Sequence, residues 1–321
     1  MHAILADKFG GPEVLRWAEQ DAPTPASDQV AIRVSLTNVN FADTMLRRGG
    51  NPNLKLPFIP GLDCTGTITA VGADVRDRRV GERVTAFTDG GSYAETALAR
   101  AVLTYPIPEN LADEAVCSMV VLVTAWNLLA LAGRFNAGET VLVHSAAGGV
   151  GSTAIQIARA LGAKTIIGTV SDPAKAGLAR ECGADIVLNS ADFVEGTRAA
   201  VGSAGVDVIL DANTGDAFQQ NFDVLAPFGR VVVYGQAAGT PGVARTDQLH
   251  SINRSVIGYS SGHYRAARPA ALRPAAEAAL QAAAAGKVKL MIGARYKLAD
   301  AADAHRLIES RKSQGKILLD I

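Results

Sequence analysis

This 321-residue chain has only three cysteines, Cys64, Cys117 and Cys182, and they lie far apart in sequence. That spacing excludes a disulfide scaffold and a four-cysteine zinc lobe, both of which need paired thiols. An excess of either charge is missing too: 31 Lys and Arg stand against 31 Asp and Glu. With zero formal net charge nothing steers the chain toward DNA, RNA or an anionic membrane, so no nucleic-acid partner is expected. Residues 1–9 lack the basic stretch and apolar core of a signal peptide, which makes a reducing cytoplasm the expected compartment. Long uninterrupted apolar runs are also absent. The most apolar stretch, residues 116–132, is broken by Thr124 and Asn127, and no membrane span is expected.

What is present is a chain 48% hydrophobic and 19% charged, long enough for two cores. The first 120 residues read as strands and turns. Residues 30–35 alternate, 66–72 set β-branched residues between glycines, and 81–87 follow another glycine turn. Prolines at 23, 25, 52, 57, 60, 106 and 108 punctuate this part, as in a coiled antiparallel β domain. The rhythm changes near residue 122. Strands are predicted at 140–144, 164–169, 185–189, 206–211, 230–234 and 255–259, with helices at 150–161, 173–182, 192–201 and 216–225 between them. Apolar strands alternating with helices predict an α/β fold with a doubly wound parallel sheet covered on both faces. An alanine-rich helix (268–285) and a helix–strand ending (299–321) complete the chain. The expected organisation is a β-rich domain of residues 1–122 and 260–321 and an α/β domain of residues 123–259, with a cleft between them.

The sharpest local signal runs from Val141 to Gly151, where an apolar strand passes through Ser145-Ala146-Ala147-Gly148-Gly149-Val150-Gly151 directly into a helix. Glycines there let backbone amides approach a pyrophosphate, and the helix N-terminus adds partial positive charge. The strand–turn–helix context within a β–α series is what a dinucleotide site requires. An ordinary tight turn is the plainer alternative. About twenty residues on, an NAD site normally offers a carboxylate to the ribose 2′-hydroxyl. Here Val170 and Ser171 occupy that tip and Lys175 follows, a hydroxyl and a cation suited to a 2′-phosphate. Asp172 precedes Pro173 and fits a helix cap. The expected cofactor is NADPH.

With these motifs in hand, the chain resembles the zinc-independent, zeta-crystallin-like quinone oxidoreductases of the medium-chain dehydrogenase/reductase superfamily. The likeness runs from Gly10-Gly-Pro-Glu-Val-Leu15 to Ser313-Gln-Gly-Lys-Ile-Leu-Leu319. The superfamily signature G-H-E-x2-G-x5-G-x2-V appears as Gly61, Leu62, Asp63, Gly66, Gly72 and Val75. Leu62 stands where zinc enzymes have a histidine ligand, and Asn40 where they have a cysteine. Leucine cannot bind a metal and asparagine binds zinc poorly, so no metal site is expected. The resemblance implies a GroES-like β-rich catalytic domain, a Rossmann domain and a homodimer. It also implies cofactor contacts from Phe41, Asn127, Ala147, Gly148, Gly149, Val150 and Gly151, and from Ser171, Lys175, Ser190 and Asn213. Further contacts are implied from Tyr234, Gly235 and Gln236, from Ser261 and Gly262 in a loop after the sixth strand, and from Arg311. Tyrosines common in the family are Met45, Asn51 and Ser190 here.

Hydride transfer needs a reactive C–H bond from the cofactor and a group that stabilises the oxyanion on the acceptor. Without a metal, neutral donors must serve. Asn40 is the first candidate, Asp43 shares its turn, and His263 is a second donor or proton relay. Asn40 and Asp43 equally fit a pair that ties down a turn, and His263 an exposed loop histidine. The leading reading is an NADPH-dependent reductase of quinones or enones. The alternatives are an enoyl-thioester or 2-alkenal reductase, with Arg47, Arg48 and Arg265 offered to a coenzyme arm, and an NADPH-binding protein with little turnover. Loops 49–57 and 239–247 are expected to shape the acceptor pocket.

Overall fold

The computed structural model describes residues 1–88 and 90–321. The chain divides into two compact units, one of Met1–Leu122, Tyr264–Gly286 and Leu290–Ile321, the other of Val123–His263 and Lys287–Lys289. The return to the first unit thus falls at 263/264, where the sequence pattern put it at 259/260. Lys287–Lys289 belong with the second unit because both backbone groups of Lys289 bond the Gln156 side chain, at 2.8 and 2.9 Å.

The first unit opens with an antiparallel hairpin of β1 (His2–Ala6) and β2 (Leu15–Glu19). β3 (Gln29–Val39) runs directly into the helix α1 (Phe41–Arg47). β3 pairs antiparallel with β4 (Asp63–Val71), which pairs with β5 (Arg83–Phe87). β6 (Thr96–Arg100) also pairs β3, and β7 (Thr104–Pro106) pairs β5. Period-two alternation along these strands buries Val30, Ile32, Val34, Ile68, Val84, Ala97 and Ala99 in one core.

After α2 (Met119–Asn127), the second unit follows the predicted β–α series. Its elements are β8 (Thr140–Val143), α3 (Gly149–Ala160), β9 (Thr165–Val170), α4 (Ala176–Glu181), β10 (Ile186–Asn189), α5 (Phe193–Val201) and β11 (Val206–Asp211). β12 (Leu225–Val233) and β13 (Ser255–Gly258) follow. Among the described residues these strands form one parallel six-stranded sheet in the order β10-β9-β8-β11-β12-β13. The chain winds outward from β8 to β10, then crosses to β11 on the other side. A topological switch point therefore lies between β8 and β11. Leu142, Ile167, Ile209 and Val231 pack with Phe193, Phe218 and Phe222 in its core, each large side chain contributing about 1.5–3 kcal/mol.

The remaining elements are α6 (Ser261–Ala267), α7 (Arg273–Ala284), β14 (Ile292–Lys297), α8 (Ala301–Glu309) and β15 (Lys316–Asp320). β14 runs parallel to β15, and β15 antiparallel to β3, with Ile317 opposite Val39 and Leu318 opposite Asn38. The carboxy-terminal strand thus lies along the end of β3.

Three local expectations need correction. The segment predicted as a helix at 216–225 is a tighter 3-10 turn, Asp216–Asp223, and Leu225 already belongs to β12. The alanine-rich helix starts at Arg273, because Pro269 and Pro274 divide the run into a 3-10 turn and α7. The stretch Asp113–Ala132 is long and apolar enough to cross a membrane, contrary to the sequence reading, which put weight on Thr124 and Asn127. In its most apolar window, however, 67% is buried inside the protein.

Candidate functional site

The loop between β8 and α3 carries the strongest geometry in the second unit. Ser145 takes a left-handed conformation, φ +54°, uncommon for a residue with a Cβ. It turns the chain so tightly that a Cβ on Gly151 would lie 2.3 Å from the Ser145 carbonyl oxygen. Only glycine fits there. Gly148 stands at the N-cap of α3 and offers no side chain to the first turn. The N–H groups of Gly149, Val150 and Gly151 have no acceptor one turn back, and Ala146 and Ala147 keep the surroundings small. Such a cradle suits an anionic oxygen cluster.

At the tip of β9, Val170 is buried and Ser171 exposed. Asp172 turns back to accept from the Ala174 N–H at 2.9 Å, acting as the cap that the Asp-Pro pair suggests. Lys175 sits one turn further on. The Ser190 N–H bonds the Val170 carbonyl at 2.9 Å, so the Ser190 backbone adjoins that of Ser171. The tips of β9 and β10 therefore present two hydroxyls and an ammonium with no free carboxylate from Asp172.

A second row of loops is tied together beside the switch point. Ser145 Oγ donates to Asn213 Oδ1 at 3.0 Å, and the Ala237 and Ala238 N–H groups donate to Ala212 and Asn213. Tyr234, Gly235 and Gln236 are thereby held beside the end of β11, with a Gly235 Cβ position only 2.9 Å from the Ala212 oxygen. Behind them runs a buried chain. Asp211 Oδ2 accepts from Asn221 Nδ2, Asn221 Oδ1 accepts from His144 Nε2, and His144 Nδ1 meets Thr169 Oγ1, at 2.8, 2.8 and 2.9 Å. His144 is thus a structural strut between β8, β9 and β11. Asn127 Nδ2 donates to Tyr259 Oη at 3.0 Å. Ser261, Gly262 and His263 form the first turn of α6, not a loop, and the His263 N–H donates to Ser260 Oγ at 3.2 Å. His263 is exposed, and Ser261 Oγ is buried without a partner.

In the first unit, Asn40 and Asp43 belong to a larger buried cluster (Asn40 5% exposed, Asp43, Asp63 and Asn38 0%, Lys316 4%). Lys316 Nζ donates to the Val39 carbonyl and to Asn40 Oδ1, both at 2.8 Å. Asn40 Nδ2 donates to Asp63 Oδ1 at 2.9 Å, and Asn38 Nδ2 to the same oxygen at 3.0 Å. Asp63 Oδ2 accepts from the Val120 N–H at 2.8 Å. Every partner of Asp63 is a donor, an arrangement that fits a carboxylate balanced by the Lys316 ammonium. Burial pushes Asp63 up and Lys316 down, and each opposes that effect in the other. Asp43 Oδ2 accepts from the Asn40 N–H at 2.8 Å, while Asp43 Oδ1 is buried with no partner. Burial raises Asp43 to about 7, and the Asp63 charge adds to the rise.

Asn40 and Asp43 therefore do tie down a turn, the start of α1, and Asn40 is also the hub of a charged network. Phe41 and Met45, on the same helix, are exposed. Sequence reasoning assigned no chemistry to Asp63, Lys316, Asn38 or Ser118, although the first two lie inside quoted motifs. The available signal was a lysine opening the run Lys316-Ile-Leu-Leu, where an ammonium must find buried acceptors. Arg47 is a further correction: it is fully buried and unavailable to a coenzyme arm. It bonds the Gly10 carbonyl and His305 Nδ1, each at 3.1 Å, and pairs with Glu309, which also meets Arg48 at 2.9 Å. His305 Nε2 meets Tyr93 Oη at 3.1 Å, and burial followed by the Arg47 charge pushes His305 down to about 3. Arg265 donates to the Thr88 carbonyl at 3.0 Å. Arg311 follows α8 with φ +58°.

The donor set does not fit zinc. Leu62 has no lone pair to offer, and the Asn40 oxygen is taken by Lys316. Among the described residues no group of three His, Cys, Asp or Glu side chains could hold a metal ion.

Comparison with known proteins bears on both units. Residues 26–109 match the family model of an alcohol dehydrogenase GroES-like domain, and residues 149–281 that of a zinc-binding dehydrogenase. The chain is 35% identical over 326 residues to the quinone oxidoreductase of Rattus norvegicus, covering 99% of this chain and 97% of that protein. It is 36% identical over 329 residues to a phenolphthiocerol/phthiocerol polyketide synthase of Mycobacterium tuberculosis, covering 99% of this chain. It spans only 15% of that much longer protein. The crystal structure of Escherichia coli quinone oxidoreductase complexed with NADPH superposes with a TM-score of 0.91 at 30% identity, covering 100% of both chains.

Proposed function

The chain belongs to the medium-chain dehydrogenase/reductase superfamily, and from that premise we propose that it binds NADPH and transfers hydride to a quinone or another conjugated carbonyl. The coarse class is an oxidoreductase of that superfamily, with a GroES-like unit and a Rossmann-like parallel sheet.

The observation that carries the reading is the glycine cradle at Ser145–Gly151, at the switch point of a parallel sheet. Its first-turn N–H groups, which have no backbone acceptor among the described residues, would hold the pyrophosphate, with Ala147, Gly148, Gly149, Val150 and Gly151 lining it. Ser171, Lys175 and Ser190 would take the 2′-phosphate. Their hydroxyls and ammonium complement its charge, and the Asp172 carboxylate is spent on a cap. Arg311 would join them. Asn127, Asn213, Tyr234, Gly235, Gln236, Ser261, Gly262 and Phe41 are assigned to the rest of the dinucleotide.

NADPH, when bound, would supply the hydride. The acceptor gains that hydride at carbon and a negative charge at oxygen, then one proton. Asn40 would stabilise this oxygen with its second Nδ2 hydrogen, the first being given to Asp63 Oδ1. His263, exposed on the first turn of α6, holds or relays the proton. Asp43 fixes the Asn40 backbone from inside the protein. The same proposal places the protein in the cytoplasm as a homodimer acting on a small molecule.

The experiment is oxidation of NADPH by purified protein with a panel of quinones and enones, followed at the cofactor's absorbance with NADH alongside. The reading expects turnover with NADPH in preference to NADH. Binding of NADPH without oxidation by any acceptor would overturn it. A second reading, reduction of an enoyl thioester, draws support from the likeness to a polyketide synthase segment. Faster turnover of a crotonyl thioester than of any quinone would favour it.

A further inference from the structure

The first unit holds a buried ammonium that the reaction as described does not use. Lys316 sits at the start of β15, and pairing of Ile317 with Val39 brings it to the end of β3. Its two acceptors are the Val39 carbonyl and Asn40 Oδ1, on consecutive residues. The Asn40 amide is clamped from both sides. Its oxygen accepts from a cation, and one amide hydrogen goes to the Asp63 carboxylate. That clamp fixes which way the amide points, since a flipped amide would set nitrogen against ammonium and oxygen against carboxylate. The Asn40 hydrogen that remains belongs to an amide whose oxygen is bound to positive charge. Polarisation of this kind passes along a hydrogen-bonded chain in a low-dielectric site and strengthens the terminal donor.

We propose that Lys316 is a positioning residue for hydride transfer: it orients and polarises the Asn40 amide, so that buried positive charge reaches the acceptor oxygen through that amide. Lys316 itself touches no substrate. Asp63 is the counter-clamp, held by the Asn38 side chain and the Val120 N–H. Asn38 is in turn fixed by Ser118 Oγ at 3.1 Å and the Cys117 carbonyl at 2.8 Å. The arrangement favours acceptors whose negative charge is localised on one oxygen, such as enolates, over those that spread it. This inference rests on the hydride-transfer reading above.

The test is Lys316→Met, close in length and uncharged, with Asn40→Ala and the double variant. With a simple enone, kcat is expected to fall about 100-fold in each single variant, with KM and NADPH affinity unchanged. In the Asn40→Ala background, Lys316→Met should cost less than about threefold more, because a relay once cut cannot be cut again. Across para-substituted aryl enones, the loss in Lys316→Met should shrink as the substituent withdraws more electrons. A merely structural lysine would lower every acceptor alike. If Lys316→Met does not fold, Asn40→Ala and Asn40→Asp decide: both should lose about 100-fold in kcat, and full activity in either overturns the proposal. A wild-type protein inert toward every acceptor removes the hydride reading and this proposal with it. An active wild type with Lys316→Met at its full rate overturns this proposal alone.

Discussion

Asp43→Asn should stabilise the protein, and by more at high pH than at low. Asp43 is fully buried, and only one of its carboxyl oxygens has a partner. An asparagine oxygen can keep the bond from the Asn40 N–H, while no charge has to be desolvated. In the folded state burial raises the carboxyl to about 7 from an ordinary value of 3.8. The folded state therefore holds a proton that the unfolded chain releases between these two values. Stability of the wild type falls as pH rises through that window and is flat above it. From about pH 5.5 to about pH 8.5 the wild type should lose about 2 kcal/mol that Asp43→Asn does not lose. For a chain of this size that is about 3 °C in Tm. Thermal unfolding of both proteins across that range is the assay, and comparing the two cancels the titrations they share. A Tm difference that stays constant with pH would refute the reasoning, because it would mean that Asp43 is ionised throughout.

Two further outcomes follow from the geometry. Gly151→Ala places a Cβ 2.3 Å from the Ser145 oxygen and 2.9 Å from the Ala146 Cα, both backbone atoms that cannot swing away. NADPH affinity by fluorescence titration should drop at least about tenfold, with about 1–3 kcal/mol lost from stability; wild-type affinity would contradict the cradle. Arg47→Met removes the cation from a buried set of Glu309, His305 and the Gly10 carbonyl. It should cost about 3–5 kcal/mol in denaturant unfolding, and a loss below about 1 kcal/mol would show the set to be solvated.

The second unit was the more legible in sequence, and for a physical reason. A parallel sheet covered on both faces needs unbroken apolar strands, so β8, β9 and β11 stand out as runs such as Thr140-Val-Leu-Val. The glycine loop was legible because its spacing reflects a steric demand, now visible at Gly151. Boundaries suffered where short-range bonding decides the helix type, as at Asp216–Asp223 and before Arg273. The β14 strand and α1 left little local signal. α1 is short, and its inward residues are the polar Asp43, Thr44 and Arg47, the reverse of an amphipathic helix pattern. The Lys316 network was invisible for another reason. Its members come from β3, β4, α1 and β15, and no window of sequence contains residues 40, 63 and 316 together. Asn40 could be named as a candidate because it stands where the zinc enzymes it resembles have a cysteine ligand, and Asp43 because it shares that turn; what surrounds them is a product of strand pairing.

The central claim is that NADPH passes hydride directly to a conjugated carbonyl with protein donors, not a metal, facing the oxygen. The most direct measurement uses NADPH carrying deuterium at both C4 positions with an enone acceptor, in protein freed of zinc by chelation. The account predicts one deuterium at the β-carbon of the reduced product, at a rate that chelation leaves unchanged. A product without deuterium, or turnover that appears only when zinc is returned, would contradict it.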